Sequence, residues 1–223
     1  DKENAEAQFL LGNEYRVGGL GLKKSPKRAV QFYELAAAQG NAIAQNKLGV
    51  CYQHGTGVKI NYKTAAQWYR RAAEQGCPRA QRSIGVLFNE GRGVAKSSEK
   101  AVKWYRFAAA QGEPDALFSL GVCYANGRGV PRDYDEALRL YKRAAALGHA
   151  GAVGKLEQLK AFLAVRHGRP RQGKATQGHA GAQDSFGGCY ACRTGVKINH
   201  KTATQWYQRA AEQDYPRAQY NLG

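Results

Sequence analysis

The sequence has no methionine and no run of about 18 apolar residues, the length a helix needs to cross a bilayer. The second absence leaves no candidate membrane-spanning helix. The first, in a chain that opens at Asp1 inside a helix-like pattern, reads as a segment of a longer protein, so a targeting signal is not expected within it. Acidic residues are scarce: 17 Asp and Glu stand against 34 Lys and Arg, for a net charge of +17. The excess favours acidic partners, whether nucleic acid, a ribosomal surface, an acidic peptide or anionic lipid, without choosing among them. It is uneven, being concentrated in 41–112 and 149–178, whereas 113–148 is neutral. The five cysteines are odd in number and irregular in spacing. They form no disulfide framework and favour a reducing, cytoplasmic compartment. Also missing is any Ser–His–Asp, paired-carboxylate or Cys–His arrangement, so an enzyme is not expected. The "GTGV" and "GRGV" stretches lack the lysine–hydroxyl ending and preceding strand of a phosphate loop, so they read as turns and imply no cofactor.

What the sequence does have is periodicity. Gly12, Gly49, Gly85 and Gly121 each end an apolar run and lie 37, 36 and 36 residues apart, and Gly187 and Gly223 repeat the step of 36. A second glycine cluster follows each of the first four within about six residues. Ser25, Asn61, Ser97, Asp133 and Asn199 share one column, and all five are residue types whose side-chain oxygen caps a helix N-terminus. Next come an alanine column (Ala29, Ala65, Ala101, Ala137, Ala203) and two bulky columns: Phe32, Trp68, Trp104, Leu140, Trp206, then Tyr33, Tyr69, Tyr105, Tyr141, Tyr207. Gly40, Gly76, Gly112 and Gly148 suit a left-handed helix stop. Each unit is therefore helix A, a glycine loop, helix B and a tight turn. In the second unit helix A is expected over 42–54 and helix B over 62–75. Small columns (Ala44, Ala80, Ala116 and Gly49, Gly85, Gly121) let helices approach, and large helix-A columns (Leu48, Ile84, Leu120 and Tyr52, Phe88, Tyr124) fill the gap between them. One hairpin cannot bury its apolar face alone, but a stack of them builds a continuous core.

The stretches "LGVCYQHGTGVKINYKTAAQWYRRAAEQG" and "IGVLFNEGRGVAKSSEKAVKWYRFAAAQG" resemble the Sel-one-like repeat family, a relative of the tetratricopeptide repeat. The resemblance implies an all-α, right-handed α-solenoid of stacked helix–turn–helix repeats serving as adaptor or scaffold. It predicts four repeats plus a capping helix over 4–165, a basic glycine-rich linker over 166–178, and a fifth repeat with the start of a sixth over 179–223. Residues 51–85 and 189–223 agree at 24 of 35 positions, which points to a duplicated unit.

Cys189 and Cys192, with His179 and His200 nearby, have the spacing of half a zinc site, but no second cysteine pair completes it. Cys189 shares its column with Cys51 and Cys123, so a core role is preferred and no metal is predicted. The tryptophans are read as packing residues rather than base-stacking platforms.

In the tetratricopeptide architecture helix A lines the concave face. On that analogy the non-core helix-A positions face a groove: Asn46, Val50 and Gln53 in unit two, Arg82, Val86 and Asn89 in unit three, and Phe118, Val122 and Asn126 in unit four. This mixture of amide and apolar groups suits an extended peptide or a partner helix. Helix-B residues Lys63, Arg70, Arg71, Lys100, Lys103, Arg106, Lys142 and Arg143 are read as a solvated convex face. The preferred function is a non-catalytic protein-interaction scaffold. The alternative is RNA or ribosome association through the basic convex face.

Overall fold

The computed structural model describes residues 2–166, 178–192 and 199–222. Among the described residues every regular element is a helix. The expected hairpins are present: α1 (Lys2–Val17) with α2 (Pro26–Ala38), α3 (Ala42–His54) with α4 (Tyr62–Glu74), α5 (Pro78–Glu90) with α6 (Ser98–Ala110), and α7 (Pro114–Asn126) with α8 (Tyr134–Ala146). Then follow α9 (Ala150–Arg166), α10 (Ala180–Cys192), α11 (His200–Ala211) and α12 (Pro216–Leu222). The chain forms two compact units, Asp1–Val153 and Gly154–Gly223. The boundary falls within α9, which had been expected as a cap on the first four repeats. The predicted linker over 166–178 lies, apart from its two ends, outside the described residues, as does the last glycine loop.

Local chemistry sets the helix ends. Ser25, Asn61, Ser97, Asp133 and Asn199 all cap as the sequence predicts, each side chain accepting from the backbone N–H three residues on. Helices α3, α5 and α7 end at Gly55, Gly91 and Gly127, with φ of 72°, 73° and 66°. The second glycine of each loop has a tertiary task. Gly57, Gly93 and Gly129 sit against the backbone at Pro26, Tyr62 and Ser98, the first turn of the preceding repeat's helix B. A side chain there would collide with main chain, so this column docks each repeat on the one before it.

Packing explains the most regular columns. Tyr33, Tyr69, Tyr105 and Tyr141 are buried, and each ring lies over the helix-A glycine of its own repeat. A methyl group added at Gly49 would lie 2.5 Å from the Tyr69 ring, and one at Gly12, Gly85 or Gly121 2.7 Å from its tyrosine. In the second unit Gly187 and Tyr207 repeat the arrangement at 2.7 Å. Overpacking of this sort typically costs about 1–3 kcal/mol. The tryptophan column behaves differently. Trp68 and Trp104 are only half-buried and pack on the core from its edge, whereas Leu140, at the same position in unit four, is buried. Arg71 lies over the Trp68 ring at 4.7 Å, a cation–π contact.

Within the first unit two clusters of buried residues run along the stack, one from Ala29 to Cys51 and one from Ala65 to Ala152. Tyr52 packs against both and joins them.

Candidate functional site

No group of three or more His, Cys, Asp or Glu able to hold a metal occurs among the described residues. The side chains of Cys189 and Cys192 lie outside the described ones. Burial pushes the Cys51 and Cys123 thiols up from their ordinary value, so both are protonated core residues rather than nucleophiles. The Tyr141 hydroxyl is pushed up to about 12, again by burial.

Cavities open on the helix-A surface among the described residues, and two of them bear on the predicted groove. One lies between α5 and α7. It has a volume of about 230 Å³ and is lined by Val86, Asn89, Phe118 and Val122, together with Tyr105 and the charged pair Glu90 and Arg128. Four of the nine predicted groove residues thus meet in one place. Phe118 is held by stacking on His149, with ring centroids 4.2 Å apart, and by a tilted contact with Tyr141 at 5.6 Å. His149 Nε2 is 3.6 Å from Asp115 Oδ1, and Arg82 is 3.5 Å from the other oxygen of the same carboxylate. Asp115 therefore links α5, α7 and the residue that precedes α9.

The second cavity, about 440 Å³, lies between α1 and α3. Arg16, Lys24 and Lys47 line it together with Tyr33, Val50 and Thr56. The Lys47 ammonium is held below its ordinary pKa, first by burial and then by the charges of Arg16 and Arg79. The Tyr33 hydroxyl donates to Asn13 Oδ1 at 2.8 Å.

The other predicted residues are placed as follows. Asn46 is buried, and its Oδ1 has no hydrogen-bond partner among the described residues. Gln53 is half-buried and accepts from the Tyr69 hydroxyl at 2.8 Å. Arg82 is committed to Asp115. Asn126 is exposed, and its Nδ2 donates to the Val122 carbonyl one turn back. It stands one residue past the register of Gln53 and Asn89, which Ala125 occupies. Arg16 and Lys47 were absent from the sequence reading of the groove. Arg16 could have been found, because it follows Gly12 by four residues, as Gln53 follows Gly49 and Asn89 follows Gly85.

Stacked helical hairpins with short glycine loops and cavities on the helix-A side define an α-solenoid repeat protein. The Sel1 repeat family model matches residues 5–41, 42–77, 78–113, 114–149 and 187–215, and the chain belongs to that family. Among solved structures it is similar to c5321, a protective antigen present in uropathogenic Escherichia coli strains, with 32% identity and a TM-score of 0.67 over 98% of this chain and 48% of that one. It is also similar to a Sel1 repeat protein from Oxalobacter formigenes, with 33% identity and a TM-score of 0.59 over 94% of this chain and 73% of the other. The chain spans about half the length of c5321. No curated protein sequence matches it. Sel1 repeats generally act as non-catalytic scaffolds for protein–protein interaction. No helix among the described residues is long and apolar enough to cross a membrane.

Proposed function

We propose that the chain is a protein-interaction scaffold that holds an extended peptide or a partner helix along the helix-A side of its first four repeats. The observation that carries this reading is the cavity of Val86, Asn89, Phe118 and Val122. Its lining combines the apolar surface of Val86, Phe118 and Val122 with the Asn89 amide and, at Glu90 and Arg128, one charge of each sign, which gives a peptide apolar contact for its side chains and polar partners for its backbone. The family supports the general role, and the buried thiols and tyrosines supply no reactive group against it. Phe118 is held in place by its ring contacts with His149 and Tyr141, which lowers the ordering cost of binding there.

The test is capture of binding proteins from the source cell by the wild-type chain and by two variants. Val122→Lys places a charge in the cavity. Lys63→Gln with Lys103→Gln removes charge from exposed helix-B positions. A partner retained by wild type and by the helix-B variant, and weakened about tenfold or more by Val122→Lys at unchanged helicity, is the expected result. Retention by Val122→Lys with loss in the helix-B variant would move the interface to the basic outer face.

A further inference from the structure

The α1–α3 cavity differs in kind from the one between α5 and α7. Arg16, Lys24 and Lys47 bring three cations to it, and no carboxylate lines it. Among the described residues none of the three enters an ion pair, although Arg82, Arg139 and Lys160 elsewhere all do. Arg79, at the start of α5, extends the same positive field, since its charge and that of Arg16 both act on Lys47. Like charges gathered around a cavity without an acid to answer them raise the energy of the empty protein. A bound anion relieves that cost, and so gains more here than at an ordinary surface lysine.

We propose that this cavity is an acidic-peptide subsite, taking one or two Asp or Glu side chains of a bound partner between Arg16, Lys24 and Lys47. The proposal deepens the scaffold reading and rests on it. It gives the helix-A surface a direction: carboxylates of the partner at the α1–α3 end, an apolar residue two repeats on, between α5 and α7. Peptide is favoured over RNA by the lining. The one aromatic ring at the cavity, Tyr33, is fully buried and offers no face on which a base could stack. Pro26, Val50 and Cys51 instead supply apolar wall suited to the methylene groups of a glutamate.

Generic attraction is the competing explanation, because a chain of charge +17 draws in any polyanion. The experiment therefore compares variants that lose equal charge in different places. The probe is a fluorescein-labelled glutamate decamer, followed by fluorescence anisotropy at roughly physiological salt. A glutamine decamer and a uridylate RNA of equal length serve as the other arms. Wild type binds the glutamate decamer and not the glutamine decamer. Arg16→Gln with Lys47→Gln weakens it about tenfold or more, as loss of two charge-assisted contacts requires. Lys142→Gln with Arg143→Gln, exposed on α8, removes the same charge and changes it less than about twofold. Lys24→Gln, in a loop, gives an intermediate loss and guards against a folding defect in the double variant.

Equal losses in the two double variants would reduce the binding to a general field and overturn the subsite. RNA bound as tightly, with the same sensitivity to Arg16 and Lys47, would make it a phosphate site. Failure of the glutamate decamer to bind, while Val122→Lys still releases the captured partner, would remove the acidic subsite and leave the scaffold standing.

Discussion

The turn that closes each hairpin is built on a left-handed residue. Gly40, Gly76, Gly112 and Gly148 hold φ between 78° and 88°. The fifth repeat makes the same turn with Asp214, at φ 56°. The surrounding hydrogen bonds match: Gly76 N donates to the Ala73 carbonyl at 3.0 Å, and Asp214 N to the Ala211 carbonyl at 3.0 Å. The turn thus forces an L-residue into the left-handed region. A Cβ there costs roughly 1–2 kcal/mol, less for aspartate than for bulkier residues. Glycine escapes that cost but loses about 0.5–1 kcal/mol more chain entropy on folding. The balance predicts that Asp214→Gly stabilises by about 0.5 kcal/mol, read as a higher urea midpoint, whereas Asp214→Val lowers the midpoint. A lower midpoint for glycine would show that the aspartate side chain itself holds the turn.

Between helices, a recurring polar link is a glutamine pair. Gln75 Nε2 donates to Gln45 Oε1, Gln111 to Gln81, and Gln213 to Gln183, each at 2.8 Å, joining the end of helix B to the start of helix A in the same repeat. Gln39 and Gln8 form the corresponding pair in the first repeat. Gln45 and Gln81 are buried and also donate to the Ala37 and Ala73 carbonyls of the preceding helix B at 3.1 Å. The fourth repeat replaces both partners, with Leu117 buried and Leu147 at the end of α8. The chain thus contains its own double substitution. Gln111→Leu alone leaves the Gln81 Oε1 acceptor without its donor in the interior, at a cost of about 1–3 kcal/mol. Gln81→Leu with Gln111→Leu imitates the fourth repeat and recovers most of that loss. A double-mutant cycle by urea denaturation checks this, with a coupling energy above about 0.5 kcal/mol expected. Additive single effects would mean that the pair does not act as a unit.

These elements also show what a sequence can and cannot disclose. The Gly–Tyr contacts and the five caps were legible because steric fit and capping restrict residue type at a fixed step, and the repeat displays each restriction several times. The glutamine pairs were hidden because glutamine beside glycine reads as surface, and only the approach of a neighbouring helix buries it. The half-burial of Trp68 and Trp104 was hidden for the converse reason. An aromatic residue at helical spacing reads as interior, yet the adjacent tyrosine takes the space beside the glycine and leaves the indole at the edge. Of the α5–α7 cavity, the shared surface of Val86, Asn89, Phe118 and Val122 was legible by register. The meeting of Lys47 with Arg16 was not, because the two lie 31 residues apart and occupy different columns.

At the scale of the whole molecule the governing quantity is charge. A net +17 on 223 residues makes self-repulsion a standing term against the folded state, since folding brings the cations closer together than the unfolded chain does. Ion pairs oppose it weakly. Arg139–Glu136 and Lys160–Glu157 are exposed contacts within single helices, worth about 0–1 kcal/mol each. Added sodium chloride screens both effects, and the repulsion is the larger because the excess charge is unpaired. The urea midpoint should therefore rise as the Debye length is shortened from about 10 Å at 0.1 M salt to about 3 Å at 1 M. The Arg16–Lys47–Arg79 cluster is where the repulsion is most local, burial being the largest cause of the lowered Lys47 pKa and the two arginines the next. For a lysine with a lowered folded pKa the unfolded chain binds more protons between the folded value and the ordinary 10.5. The penalty is therefore complete at neutral pH and is relieved as pH rises through that window. Arg16→Gln with Lys47→Gln should then melt at or above the wild-type temperature at pH 7 and show a shallower dependence on salt. A variant that melts lower, or that keeps the full salt slope, would mean that the two cations are already compensated in the free protein and that no anion is needed to complete the cavity.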